Sequence, residues 1–472
     1  MVFNSFSFIV LFPLVFLLYY LIPVKYDRWR NGYLLLVSYL LYANWIPAYT
    51  LILLGVTLVT YLFARWIEDG ERSVKIVGGG VLLSLLPLLV FKYYNFVNEN
   101  VFDLLSLIGL RFHLPGLNWA IPMGISFFTF QALGYLLDVY HRRIKAEKDF
   151  VTYALFVSFF PSIVAGPINK ASLVIPQLKA MRPYFDYGKA VEGLKVLLWG
   201  MFMKVVVADR VALYVDTVLP NYMNYTGLTC LVASIFYTIQ IYADFAGYSL
   251  MALGIGKVLG FELTENFHRP YFAISITDFW HRWHISLSTW LKDYVYIPLG
   301  GSRCSKMRNY WNIFVSFLVS GIWHGANWTF VVWGCMHGVI QIVEKMLGIQ
   351  KLKSSNGFVR LARILITFLL VNFAWIFFRM PSLGDAVGVI GHIFDLHQPM
   401  SLEVTSKHIF LLMMIGTVIL SLKDVRDEFA PNRIKLFESK HKFVRWISYI
   451  SVLVLILLTG VFDAGQFIYA NF

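Results

Sequence analysis

Charge is scarce in this sequence: only 14% of its 472 residues are Asp, Glu, Lys or Arg, where a soluble domain carries about a quarter. With 58% hydrophobic and 17% aromatic residues, a water-soluble fold could not hide so much apolar surface. Cysteine is nearly absent. Cys230, Cys304 and Cys335 are widely spaced and match neither a metal-ligand pattern nor a disulfide framework. There is no Gly-x-x-x-x-Gly-Lys loop, no Gly-x-Ser-x-Gly turn, no internal repeat and no low-complexity segment, so phosphate-loop and hydrolytic-triad chemistries have no support. His281 and His284 lack a further acidic or cysteine ligand at a recognised spacing. No metal and no tightly bound cofactor is expected.

What the chain does have is apolar runs along almost its whole length. A helix needs about 20 apolar residues to cross a bilayer with its backbone polar groups paired internally. Candidate runs lie at Phe6–Ile22, Gly32–Trp45, Leu51–Ile67, Val77–Phe91, Ile121–Val139, Val151–Val164, Leu194–Val207, Leu228–Leu253, Ile313–Leu347, Leu361–Phe378, Ile409–Leu420 and Trp446–Phe462. The longest of these can each hold two helices. The sequence therefore predicts an all-α polytopic membrane protein, with one multi-span domain over 1–472 and roughly ten to twelve spans. Phe3 to Pro23 lacks a basic n-region and a small-residue cleavage site, which predicts a retained first span.

The formal charge of +13 sits in short loops and forms no basic stripe with interleaved aromatics, so no nucleic acid is expected. Under the positive-inside rule Lys25/Arg28/Arg30, Arg142/Arg143/Lys145/Lys148 and Arg433/Lys435/Lys440/Lys442/Arg445 mark cytoplasmic loops. Glu68–Lys75 and Lys351–Lys353 read as connectors. Both termini, free of basic residues, are expected outside. One segment departs from the span pattern: Ile276, Trp280, Trp283, Leu287 and Trp290 share a helical face while Asp278, Arg282, Thr289, Lys292 and Asp293 take the rest. This predicts one amphipathic helix at the membrane interface or dipping into the protein.

Polar side chains at membrane depth are functional candidates because burying them is costly. His324 and Asn327, three apart in Gly321-Ile322-Trp323-His324-Gly325-Ala326-Asn327-Trp328, would share a helix face. Glycines 321, 325, 334 and 338 would let a helix or a thin substrate approach the backbone, as in a tunnel wall. A desolvated imidazole stays neutral and can take a proton from a hydroxyl; a packing histidine is the bland alternative. His284, turned toward the apolar face, is open to the same two readings. The stripes Gln240/Asp244/Tyr248 and Gln131/Tyr135/Asp138 read first as hydrogen-bonded helix ties and second as a cavity wall.

Three segments, in order, closely resemble the membrane-bound O-acyltransferase family: Asp278-Phe279-Trp280-His281-Arg282-Trp283-His284-Ile285-Ser286, Tyr296-Ile297-Pro298-Leu299-Gly300-Gly301 and Trp323-His324-Gly325-Ala326-Asn327-Trp328. Phe160-Pro161 through Gly166-Pro167-Ile168, Lys204 to Arg210, Asp244-Phe245-Ala246-Gly247-Tyr248 and Glu265-Asn266-Phe267 add weaker likeness over roughly Met1 to Met380. His281 stands where an arginine is expected. The motif core lies at about 120–345, and the helices at about 360–472 carry no assignable motif. The likeness is nearest to the bacterial branch that O-acetylates alginate and is related to D-alanyl transfer to teichoic acid.

That resemblance implies a ring of tilted helices with interfacial or re-entrant helices around a central tunnel, in a bacterial cytoplasmic membrane. It implies His324 as the essential residue and His284 as the second catalytic residue, with Asn327, Trp323, Asp244 and Gln131 as substrate or tunnel candidates. The implied reaction takes an acetyl group from cytoplasmic acetyl-CoA to an exported polysaccharide or peptidoglycan, often through a surface SGNH-type acyltransferase partner. Transfer from a carrier protein, a transporter and a non-catalytic scaffold are the rival readings.

Overall fold

The computed structural model describes residues 3 and 5–462, apart from 71–72, 111–113, 181–184, 353–355, 396, 398, 402–403, 432 and 434–436. Lys353, Lys435 and both chain ends, for which a connector, a cytoplasmic loop and an outside location are expected, lie outside the described residues. The described residues form helices and turns with no strand. In chain order the helices are α1 (Phe6–Leu21), α2 (Asp27–Ala43), α3 (Tyr49–Asp69), α4 (Val74–Leu88), α5 (Tyr94–Leu107), α6 (Ile125–Tyr140), α7 (Phe150–Ser158), α8 (Ala171–Lys179), α9 (Tyr187–Met201) and α10 (Asp209–Val218). They continue with α11 (Gly227–Val258), α12 (Ile276–Arg282), α13 (Ile285–Leu291), α14 (Lys306–His324), α15 (Trp328–Met346), α16 (Gly357–Arg379), α17 (Leu383–Ile393), α18 (Lys407–Phe429) and α19 (Lys442–Thr459).

Six described helices are long and apolar enough to cross a membrane: Tyr49–Asp69, Val74–Leu107, Gly227–Val258, Gly357–Arg379, Lys407–Phe429 and Lys442–Thr459. A pair bent by 101°, Ser7–Leu21 with Val24–Ala43, raises the number to seven if it counts as one span. Exposed leucines such as Leu51, Leu62, Leu422 and Leu458 cover the outer faces of these helices, which only lipid would solvate without cost. The protein is a multi-pass membrane protein. Roughly ten to twelve spans are expected from the apolar runs, several of which fall on helices shorter than these. The run at Ile121–Val139 yields a helix of 16 residues and the run at Val151–Val164 one of 9; both are buried nearly throughout. Short buried helices and spans are equally apolar, and only length separates them. Of the two longest runs, Ile313–Leu347 does hold two helices, whereas Leu228–Leu253 lies within one helix of 32 residues.

Two compact units make up the chain, and each is described by itself. The first takes Met1–Leu194 with Ala252–Thr264, and the second Lys195–Met251 with Glu265–Asn471. In the first unit α6 packs against α3 and α4, and α7 against α2. Its buried polar groups are tied to backbone: Gln131 donates from Nε2 to the carbonyl of Phe156 at 2.6 Å and accepts at Oε1 from the amide of Asn169 at 2.9 Å. Asn31 donates to the carbonyl of Leu178 at 2.9 Å. Arg30, expected in a cytoplasmic loop, is instead buried within α2, donating to the carbonyl of Ile22 and lying 5.3 Å from the Tyr19 ring.

In the second unit α14 and α15 form an antiparallel hairpin whose backbones touch. A Cβ placed on Gly334 would meet the carbonyl oxygen of Phe317 at 2.5 Å and the Cα of Gly321 at 3.0 Å. The missing side chains admit a neighbouring helix; at these two positions the tunnel-wall reading gives way to helix contact. Lys204 forms a buried ion triad, with Nζ 2.7 Å from Asp209 Oδ1 and 2.6 Å from Asp244 Oδ1. A charge this deep is tolerable only when paired.

Candidate active site

The expected single amphipathic helix is two. Its first part, α12, starts on a Ser275 cap and ends at Arg282, and α13 starts at Ile285. Between them His284 adopts φ 43° and ψ 53°, a left-handed conformation that a non-glycine residue holds at a cost of about 1–3 kcal/mol. Trp280 and Trp283 are buried, whereas His281 is exposed and Trp290 half-buried, so the apolar face of the segment packs into the protein. The helical spacing of its tryptophans was legible in the sequence; the break was not, because neither glycine nor proline stands there.

The break is closed by the preceding loop. The amide of Ile285 donates to the carbonyl of Asn266 at 3.0 Å, and the amide of His268 to the carbonyl of Arg282 at 2.9 Å. Asn266 Oδ1 accepts from the amide of Ser286 at 3.2 Å and from its hydroxyl at 2.9 Å, and it lies 3.0 Å from His284 Nδ1. The His284 ring is fully buried, edge-on to Phe245 at 4.7 Å between centroids. Burial pushes its imidazole down to about 3, so it is neutral at ordinary pH.

His324 is the last residue of α14. The helix stops there because Gly325 turns fully extended, and Asn327 starts α15 as its N-cap, with Oδ1 accepting from the amide of Thr329 at 2.9 Å. His324 and Asn327 therefore do not share a helix face. Asn327 also donates from Nδ2 to the carbonyl of Pro381 at 2.8 Å. Both ends of its amide hold backbone, worth about 1 kcal/mol as a cap. Glycine followed by asparagine is a stop-and-start signal that the sequence carries in plain view.

His324 is buried in an aromatic enclosure, with ring centroids 4.9 Å from Trp323, 4.9 Å from Trp333 and 5.2 Å from Phe378. Trp333 stacks on Trp375 at 5.6 Å. The Trp323 indole is also 5.8 Å from the ring of His284. One indole thus borders both histidines, and the two sequence candidates share one site. Low-polarity walls of this kind strengthen any charge interaction formed within them.

Of the remaining candidates, Asp244 pairs with Lys204 and precedes Phe245, and Gln131 belongs to the first unit, tied to backbone. Reading the sequence missed Asn266, which showed only as part of Glu265-Asn266-Phe267. It also missed His337, buried one turn after Trp333, whose ring is 4.9 Å away. His337 Nδ1 lies 3.3 Å from Trp280 Nε1, a nitrogen that can only donate. Trp333 and His337 are four apart, the helical spacing that could have flagged the pair.

Comparison with known proteins follows the same residues. A model of the membrane-bound O-acyltransferase family matches residues 142–383. The chain is 37% identical over 431 residues to a probable alginate O-acetylase of Pseudomonas aeruginosa, covering 89% of this chain and 80% of that protein. It is 36% identical to a peptidoglycan O-acetyltransferase of Helicobacter pylori over 83% of this chain and 79% of that one. A teichoic acid D-alanyltransferase of Bacillus subtilis is 27% identical over 64% and 76% of the two chains.

Proposed function

The chain belongs to the membrane-bound O-acyltransferase family, and from that premise we propose that it moves an acetyl group from cytoplasmic acetyl-CoA to a hydroxyl of an exported polysaccharide or peptidoglycan. The observation that carries this reading is the pair of buried imidazoles, His284 and His324, bordering one indole in a chain so similar to an alginate O-acetylase and a peptidoglycan O-acetyltransferase. It is an acyltransferase in either case; the donor, the acceptor and the route across the membrane are the proposed part.

In the reaction the acceptor oxygen attacks the thioester carbonyl, the C–O bond forms, and the C–S bond breaks. His324 takes the hydroxyl proton as the oxygen attacks and returns it to the departing thiolate, so the products are an ester and a free thiol. An imidazole shielded from water suits this work, and a positioned base contributes about 10²–10⁴-fold. Trp333, Phe378 and Trp323 exclude water that would hydrolyse the thioester. Both ends of the Asn327 side-chain amide are committed, Oδ1 to the amide of Thr329 and Nδ2 to the carbonyl of Pro381, so the developing oxyanion needs a donor other than the Asn327 side chain. Where an SGNH-type acyltransferase works on the outer side, its hydroxyl would be the acceptor in this step, and the ester so formed would pass the acyl group on to the polymer.

The test is transfer of labelled acetyl from acetyl-CoA in vesicles containing the purified protein, against the same vesicles given an acylated carrier protein. Label transfer from acetyl-CoA supports the reading. Transfer from the carrier alone would move the protein to the mode suggested by its teichoic acid D-alanyltransferase relatives. A chain that transfers from neither, yet is required for surface acetylation, would be a conduit or scaffold.

A further inference from the structure

We propose that Asn266 is a positioning residue that fixes His284 in its Nδ1–H tautomer, so that His284 meets the substrate with the lone pair of Nε2 and acts there as a hydrogen-bond acceptor. A carboxamide oxygen and nitrogen look alike by shape, but here the bonding pattern distinguishes them. The amide of Ser286, 3.2 Å from Asn266 Oδ1, can only donate, which makes that atom the oxygen. On its other side Asn266 Nδ2 donates to the hydroxyl of Ser249 at 3.2 Å. An oxygen cannot donate to His284 Nδ1 at 3.0 Å. The proton of that contact therefore belongs to the imidazole, and in the neutral ring Nε2 is left unprotonated.

The same asparagine sets the ring's position. Its carbonyl holds the amide of Ile285, and its side chain holds the amide of Ser286, so both bonds secure the left-handed backbone of His284 at φ 43°. Asn266 is itself buried, and its side chain contacts the His284 ring at Nδ1. The consequence for acyl transfer, which rests on the function proposed above, is a division of labour. His284 can accept a proton or a hydrogen bond but cannot supply one to an oxyanion, and a donor to the oxyanion must be sought elsewhere.

The test reads the tautomer directly. Protein carrying 15N-labelled histidine is placed in lipid nanodiscs, and the His284 signal is identified by its loss in His284→Gln. The proposal expects Nδ1 protonated and Nε2 bare in the unmodified protein. Asn266→Asp should keep that pattern, since a carboxylate accepts the same bond, and stay within about 10-fold of the unmodified kcat. Asn266→Ala should lose the pattern and lower kcat by about 10²-fold, the scale of a misplaced base, with KM little changed. A proton on Nε2 in the unmodified protein overturns the proposal, as does an Asn266→Ala protein that retains both the Nδ1–H pattern and full kcat. Should Asn266→Ala fail to fold, the spectra of the unmodified protein and Asn266→Asp still decide. If no acyl transfer is found with any donor, the function proposed above fails while the tautomer stands or falls on its own spectrum.

Discussion

At the end of α14, His324 is surrounded by the rings of Trp323, Trp333 and Phe378, on a hairpin whose helices touch backbone to backbone at Gly321 and Gly334. At the break between α12 and α13, His284 is held through Nδ1 and its flanking amides by one asparagine. Aromatic rings crowd the first histidine, and the hydrogen bonds of an asparagine hold the second. Hydrogen bonds fix the tautomer, which suits a group with one constant role. Neither arrangement follows from burial alone, because both rings are equally buried.

The contrast can be broken from either side. The largest loss of stability is expected from Lys204→Met, which leaves the carboxylates of Asp209 and Asp244 buried without their cation; removing one partner of such a group costs about 3–5 kcal/mol. A collapsed yield of folded, detergent-solubilised protein would show it, and an unchanged melting temperature would mean that the triad is not held by charge. Next comes the aromatic enclosure. Gly334→Leu forces a side chain against the carbonyl of Phe317, so α14 and α15 must separate at a cost of about 1–3 kcal/mol. That change should displace His324 and lower kcat while leaving the His284 tautomer as it was; equal disturbance of both histidines would remove the distinction between them.

The smallest effect on activity belongs to Gln131→Ala in the first unit. This side chain bridges the carbonyl of Phe156 and the amide of Asn169, and losing it leaves backbone groups unpaired at about 1–3 kcal/mol. A lower melting temperature with unchanged kcat would assign it to structure. A kcat loss without a stability change would return it to the tunnel wall.

The sequence made the membrane class legible through the scarcity of charge, and its motifs singled out His324 and His284, whose rings both border Trp323. The number of spans was less legible, since the helix at Phe150–Ser158 is as apolar as any span and differs only in being short and enclosed. Glycines 321 and 334 announced a close approach but not of what; a helix and a thin substrate ask the same thing of a backbone. Asn266 lies 18 residues from His284, and no periodicity links a loop residue to the helix break that it closes. Long-range hydrogen bonds of this kind leave no local pattern to read.

The most direct test of the account is acyl transfer by the purified protein in vesicles, unmodified and as His324→Ala, with equal amounts of folded protein in each. The account predicts that His324→Ala loses transfer by at least about 10²-fold while retaining the fold and the His284 tautomer. A His324→Ala protein that still transfers acyl groups at the unmodified rate would contradict it and place the chemistry elsewhere in the chain.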